Sequence, residues 1–204
     1  MTIKDMPKLE SPFIRKDINN KYIVTPEIDP NYTWVFEDES VRAIEKLDGT
    51  NVSIVIENNK IVSVWNRENP VDMLEISPIM DGVRVSYQKG YCKFTDGQYF
   101  GEVIGEKING NKHDIKGNIW IPLSKMWNML SYNSWGQYPK DFDTISEWFQ
   151  NGLISLYGMQ SHNGAKDKYC EGIVFTHPDG RMAKLRKDMF DWYQGEGHKN
   201  EKKK

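Results

Sequence analysis

"VRAIEKLDGTNVSIVIENNKIVSV", residues 41 to 64, decides how the chain is read. Apolar and polar residues alternate here as along a strand with one buried face. Over 51–57, Val52, Ile54 and Ile56 face one way while Asn51, Ser53 and Glu57 face the other. Asn58-Asn59 supplies a hairpin turn, and residues 60–66 return as the partner strand. Lys46 stands apart from this pattern, placed between Ile44 and the Asp48-Gly49 pair. A lysine there is either a solubilising charge at a strand end or an amine wanted for chemistry. Asp-Gly between apolar strands is the commonest short hairpin signal, so alone it reads as a turn.

Outward from this stretch, "QYFGEVI" (98–104) reads as a strand with Phe100, Glu102 and Ile104 on one face. "EGIVF" (171–175) and "RMAKLR" (181–186) read as two strands joined by the turn "THPDG". Ser77-Pro78 opens a helix that stops near Gly90, and Leu123, Met126, Trp127 and Leu130 follow helical spacing. In "DTISEWFQNG" (143–152), Thr144 and Glu147 stand in capping-box relation and Gly152 is a stop. The pattern predicts an α+β domain of antiparallel sheets with flanking helices over 1–192. Residues 193–204 read as a polar, disordered tail.

Composition narrows the function classes. The chain of 204 residues is 38% hydrophobic and 27% charged, and its net charge of -2 argues against a uniformly basic nucleic-acid coat. A local basic groove remains compatible with it. Cys92 and Cys170 lack metal-ligand spacing, which points to a reduced, cytoplasmic protein. No apolar run is long enough to cross a bilayer, so membrane roles are set aside.

The charges within the apolar strands form the chemical signal. Lys184 and Arg186 are two apart and leave one strand face, where they can hold a phosphate from one side. Glu102 and Glu171 offer carboxylates to a sugar hydroxyl or a hydrated metal. Lys46 offers a nucleophile once its amine is neutral; a free lysine titrates near ~10.4, so burial or neighbouring cations must lower it.

"EKLDGTN" (45–51) resembles the K-x-D-G nucleophile motif of covalent nucleotidyltransferases: ATP-dependent DNA ligases, RNA ligases and mRNA capping enzymes. The further blocks "NRENP" (66–70), "YFGEVIG" (99–105), "EGIVF" (171–175) and "AKLRKDMF" (183–190) follow in that superfamily's order. Thr50-Asn51 and "GEVIGEKINGN" (101–111) look most like nick-sealing phage-type RNA ligases and their small relatives. The resemblance implies an ATP-grasp-like nucleotidyltransferase fold and an ATP-dependent RNA ligase of use in RNA repair. In such enzymes the lysine becomes lysyl-AMP, the AMP passes to a 5′-phosphate end, and a 3′-hydroxyl displaces it. ATP, as covalent AMP, and Mg²⁺ or Mn²⁺ are the implied cofactors. RNA ends, including those of a nicked duplex, are the implied partners.

By that resemblance Lys46 is the nucleophile, Asp48 shapes its loop, and Asn51 serves sealing. Arg67 lies near the nucleotide's sugar-phosphate, Glu102 accepts from the ribose 2′-hydroxyl, and Glu171 positions the hydrated metal. Lys184 and Arg186 neutralise charge on the α-phosphate, and Glu45 completes the nucleotide-binding set. Trp120, in "GNIWIPL", is either the ring that stacks on adenine or a core tryptophan. Arg186 departs from the lysine usual in these RNA ligases; it keeps the charge but grips phosphate differently. About fourteen residues follow "KDMF", so no OB-fold is expected in this stretch, and a separate domain or protein would help bind substrate. Two rivals share the motifs: a small DNA ligase, and a catalytically idle nucleic-acid-binding module.

Overall fold

The alternation around Asn58-Asn59 becomes a hairpin because both asparagines adopt the left-handed conformation, with φ of 51° and 60°. The computed structural model describes residues 2–162, 164 and 168–195. Its strands are β1 (Phe13–Ile18), β2 (Lys21–Ile28), β3 (Arg42–Lys46), β4 (Thr50–Glu57), β5 (Lys60–Asn66), β6 (Asn69–Val71), β7 (Gly97–Gly105), β8 (Asn118–Pro122), β9 (Gly172–Thr176) and β10 (Met182–Arg186). Its helices are α1 (Trp34–Glu37), α2 (Pro78–Gln88), α3 (Leu123–Met129), α4 (Phe142–Glu147) and α5 (Leu156–Ser161). The strands pair antiparallel, which makes the fold α+β, as the pattern predicts. The tail expected over 193–204 lies, from 196 on, outside the described residues.

The chain gathers into two compact units, each assembled from separate stretches. The first comprises Met1–Lys8, Leu47–Leu130 and Leu156–Tyr169; the second comprises Leu9–Lys46, Ser131–Ser155 and Cys170–Lys204.

In the first unit, five strands lie in the order β6-β5-β4-β7-β8. Val52, Ile54 and Ile56 of β4 pack with Val103, Trp120 and the Met80 and Val83 side chains of α2. Each such aliphatic residue contributes about 1.5–3 kcal/mol by leaving water. α2 starts where expected: the Ser77 hydroxyl accepts from the Met80 amide, and Pro78 occupies the first turn. Among the described residues no helix is long and apolar enough to cross a membrane.

The second unit holds a three-stranded sheet, β10-β9-β3, and the β1-β2 hairpin. Asn19-Asn20 turns that hairpin at φ of 52° and 63°, by the same device as Asn58-Asn59. Its core is aromatic: Phe13 meets Phe36 at 5.0 Å and Phe142 edge-on at 5.1 Å, and Phe149 meets Phe190 at 5.2 Å.

Asp48-Gly49, which alone would read as a hairpin turn, does not turn one, because β3 pairs with β9 while β4 pairs with β5 and β7. One local expectation is corrected. Helix α4 is capped by Asp141, whose carboxylate accepts from the Thr144 amide and hydroxyl. Thr144 therefore sits inside the helix, which continues as one π-helical turn over Trp148–Gly152.

The β9-β10 turn is fastened by His177, whose Nε2 lies 2.8 Å from Asp38 Oδ2 and whose Nδ1 lies 2.7 Å from Asp179 Oδ1. Hydrogen bonds to Asp179, then to Asp38, raise the imidazole's pKa above its ordinary 6.5. A raised folded value means that the stabilisation is complete below the unfolded pKa and lost as pH rises through the folded one. Melting temperature, followed by circular dichroism, is therefore expected to fall as pH rises above about 6.5, and His177→Gln to flatten that slope.

Candidate active site

Register places the charges of the second unit's sheet. β9 runs between β3 and β10, and Gly172 is paired with Lys46 on one side and Arg186 on the other. A Cβ at Gly172 would collide with the Leu185 carbonyl and the Arg186 backbone, so glycine permits this close approach. Lys184 stands opposite Val174, which stands opposite Ile44, so Lys184, Arg186 and Lys46 share one face. At the entry to β9, Glu171 extends its carboxylate to Lys46, with Oε2 2.6 Å from Nζ. The carboxylate is 2% exposed and the lysine side chain 22%, so the amine keeps a path to solvent.

Arg186 is engaged rather than open to a ligand from every side. Its Nε and Nη2 donate to the two oxygens of Asp188 at 2.8 and 3.2 Å, and Nε lies 3.9 Å from Glu171 Oε1. Asp188 was not singled out by the motif reading, yet it fixes the guanidinium. Lys184 is buried to 9% exposure, and its backbone amide donates a hydrogen bond to the Glu10 carbonyl that holds the strand. Glu45 leaves the opposite face of β3 from Lys46 and accepts from the buried Ser155 hydroxyl at 2.6 Å. The structure thus brings Lys46, Glu171, Lys184 and Arg186 together and points the Glu45 side chain elsewhere.

The loop that follows Lys46 is built in the first unit. A Cβ on Gly49 would collide with the Val103 carbonyl and the Glu102 side chain, which explains glycine where no hairpin turns. Asn109 donates to both Asp48 Oδ1 at 2.9 Å and the Gly49 carbonyl at 2.8 Å. His113, 3% exposed, accepts the Asp48 amide on Nε2 at 2.9 Å. An accepting Nε2 requires a neutral imidazole with its proton on Nδ1. The rings of Tyr157 and Tyr169 meet His113 edge-on at 5.6 and 6.1 Å. The segment "GEKINGN" ends two residues before His113, and a lone histidine carries no sequence signal of its burial.

The other candidates of the first unit lie on its five-stranded sheet. Asn51 and Glu102 are cross-strand partners of β4 and β7 and share a face. Arg67 occupies the β5-β6 turn at a φ of 55° and is exposed. A left-handed arginine is a conformation worth a functional question. Trp120 is corrected to a core residue: it is 0% exposed and packs with Val52 and Ile54. Its indole donates to the Val52 carbonyl at 2.9 Å, while the Ser86 hydroxyl joins both its carbonyl and its amide. No face of that ring is open to stack on a base.

The thiols offer no rival nucleophile. Desolvation pushes Cys92 up to about 11 and Cys170 up to about 12. Among the described residues, no group of three or more His, Cys, Asp or Glu side chains gathers as a metal cluster. Glu171 offers the oxygen-ligand chemistry that a hard divalent cation takes, but its Oε2 is paired with Lys46 and its Oε1 lies 3.9 Å from Arg186.

The chain matches no family model and no curated protein sequence. Among solved structures it is similar to a Naegleria gruberi RNA ligase with PPi, at a TM-score of 0.53 and 17% identity, covering 91% of this chain and 58% of that one. It is also similar to the E227A mutant of a Naegleria gruberi RNA ligase with ATP and Mn, at a TM-score of 0.51 and 18% identity, over 87% of this chain and 59% of that one. The chain therefore shares the fold of those RNA ligase structures, and it spans about three fifths of those chains' length.

The Asp48-Gly49 loop yields a direct stability test. Gly49→Ala must displace the Val103 backbone together with the Glu102 and Ile104 side chains, at a cost of about 1–3 kcal/mol for overpacking. Urea unfolding of the variant against wild type is expected to show that loss in the transition midpoint.

Proposed function

We propose that this chain is an ATP-dependent RNA ligase domain in which Lys46 carries AMP. One observation bears most of the weight: a lysine at a strand end, 2.6 Å from a buried carboxylate, on a sheet face shared with two further cations. In the first step Lys46 Nζ attacks the α-phosphorus of ATP. The N–P bond forms, the bond to the bridging oxygen breaks, and pyrophosphate leaves. Glu171 Oε2 receives the hydrogen bond that orients the amine, and the proton that must leave before attack goes to solvent, to which the lysine side chain is 22% exposed. Lys184 and the Asp188-braced Arg186 oppose charge growing on the transferred phosphate, as preorganised donors do at an oxyanion. Bound at Glu171 among phosphate oxygens, Mg²⁺ or Mn²⁺ would supply electrostatic neutralisation of the triphosphate.

The AMP then passes to an RNA 5′-phosphate, forming a 5′-5′ pyrophosphate linkage and freeing the lysine. A 3′-hydroxyl attacks the 5′-phosphate and expels AMP. Asn51 is assigned to this sealing step, Arg67 to the nucleotide's sugar-phosphate, and Glu102 to the ribose hydroxyl. Asp48 shapes the nucleophile loop through its bonds with Asn109 and His113. The DNA-ligase alternative shares the first step and differs in the polynucleotide whose 3′-hydroxyl and 5′-phosphate ends are joined.

Incubation with ATP and Mg²⁺ is expected to yield a protein heavier by one AMP, with the adduct on Lys46 and absent from Lys46→Ala by intact mass analysis. Wild-type protein without the adduct would overturn the reading. Lys184→Ala is expected to slow adduct formation by about a hundredfold or more, the loss of one preorganised donor. Sealing of a nicked duplex should weaken from low to high KCl with a modest slope, since a chain of net charge -2 holds RNA through few phosphate contacts and the slope scales with their number. A preference for an all-DNA nick in that assay would transfer the assignment to the DNA-ligase alternative.

A further inference from the structure

Residues 4–6 lie across the face of the first unit's sheet that presents Asn51. The Lys4 amide donates to Gln98 Oε1 at 2.9 Å, and Gln98 Nε2 donates back to the Lys4 carbonyl at 2.7 Å. Gln98 also donates to the Ser53 hydroxyl at 2.8 Å, which ties the segment to β4 as well as β7. Beside this anchor, the Asp5 carboxylate lies 3.5 Å from the Arg67 guanidinium, and Met6 Sδ receives the Asn51 amide at 3.0 Å.

The two halves of this contact differ in quality. The Lys4-Gln98 exchange is a pair of well-formed hydrogen bonds. At Asn51 the amide meets a thioether, a weak acceptor. Among the described residues, Asn51 Oδ1 and Asp5 Oδ1 are both buried with no hydrogen-bond partner. Buried oxygens left unmatched cost stability, so this end of the segment is held against a penalty. A ligand offering a doubly charged phosphate to Arg67 and better partners to Asn51 would gain from the exchange.

We propose that residues 5 and 6 form a displaceable strap: in the nucleotide-free protein Asp5 occupies the place of an RNA phosphate on Arg67, Met6 covers Asn51, and RNA binding lifts both. The choice of RNA as the occupant rests on the ligase reading. The strap is held by one exposed ion pair and one weak N–H···S contact, so its removal changes affinity modestly. The expected gain is about two- to fivefold, the range of an exposed ion pair.

The test measures anisotropy of a 3′-fluorescein-labelled, 5′-phosphorylated RNA oligonucleotide without ATP, at low salt, against wild type, Asp5→Asn, Met6→Ala and Glu57→Gln. Asp5→Asn and Met6→Ala should each tighten binding, while Glu57→Gln, which removes an exposed charge at the β4 end, should not. Trypsin cleavage after Lys4 or Lys8, read by mass spectrometry, should quicken when RNA is added to wild type. Unchanged or weaker binding by Asp5→Asn and Met6→Ala would overturn the strap, as would equal tightening by Glu57→Gln or RNA-slowed cleavage. None of these readouts needs ATP, so a missing Lys46 adduct would defeat the ligase reading separately.

Discussion

The 2.6 Å contact between Lys46 and Glu171 joins residues 125 apart in the chain. A carboxylate at 2% exposure cannot stay ionised without a partner, because its desolvation is worth several kcal/mol. Lys46 supplies that partner, and Arg186 approaches from the other side. The geometry needs β9 between β3 and β10, and it needs a residue without a side chain at 172. The sheet's register is therefore part of the chemistry: a slip by one residue would turn Lys46, Lys184 and Arg186 to the opposite face. Stability and reactivity are coupled at this pair, because the charge that holds the carboxylate is borne by the atom proposed to attack.

Much of the local structure was readable because period-2 alternation and turn chemistry are local properties. The β4-β5 hairpin, α2 and the β9-β10 pair fall where the pattern places them. The β1-β2 hairpin carries the same Asn-Asn device, but its alternation is diluted by Arg15, Lys16 and Asp17. Partner choice was not readable. β3 and β4 flank an Asp-Gly pair as hairpin strands do, yet they pair with different strands, and only the steric demand at Gly49 accounts for the glycine.

The candidate site divides in the same way. Lys46, Glu171, Lys184 and Arg186 were found as motif residues, and register brings them to one place. Their supports were invisible in sequence: Asp188 on Arg186, and Asn109 and His113 on the Asp48 loop. Such groups act through one hydrogen bond to a backbone or charged atom, which demands a position in space but no recurring spacing. Trp120 shows the converse limit. A tryptophan in an apolar strand has the composition of a stacking platform and of a core residue alike, and α2 decides the matter through Ser86.

The boundaries between the two compact units fall after Lys8, Lys46, Leu130, Ser155 and Tyr169, so neither unit is one uninterrupted run of chain. Expression of a fragment cut at any single one of these points would divide the sequence without isolating a unit. A stretch such as 47–130 lacks the pieces at 2–8 and 156–169 that complete its own unit. For an engineer, the modules of this protein are separable only by rewiring its connectivity, through permutation and new loops. For folding, early closure of the β4-β5 hairpin is inexpensive. The second unit's β3-β9 pairing must wait until distant segments meet, a topology that favours slow assembly.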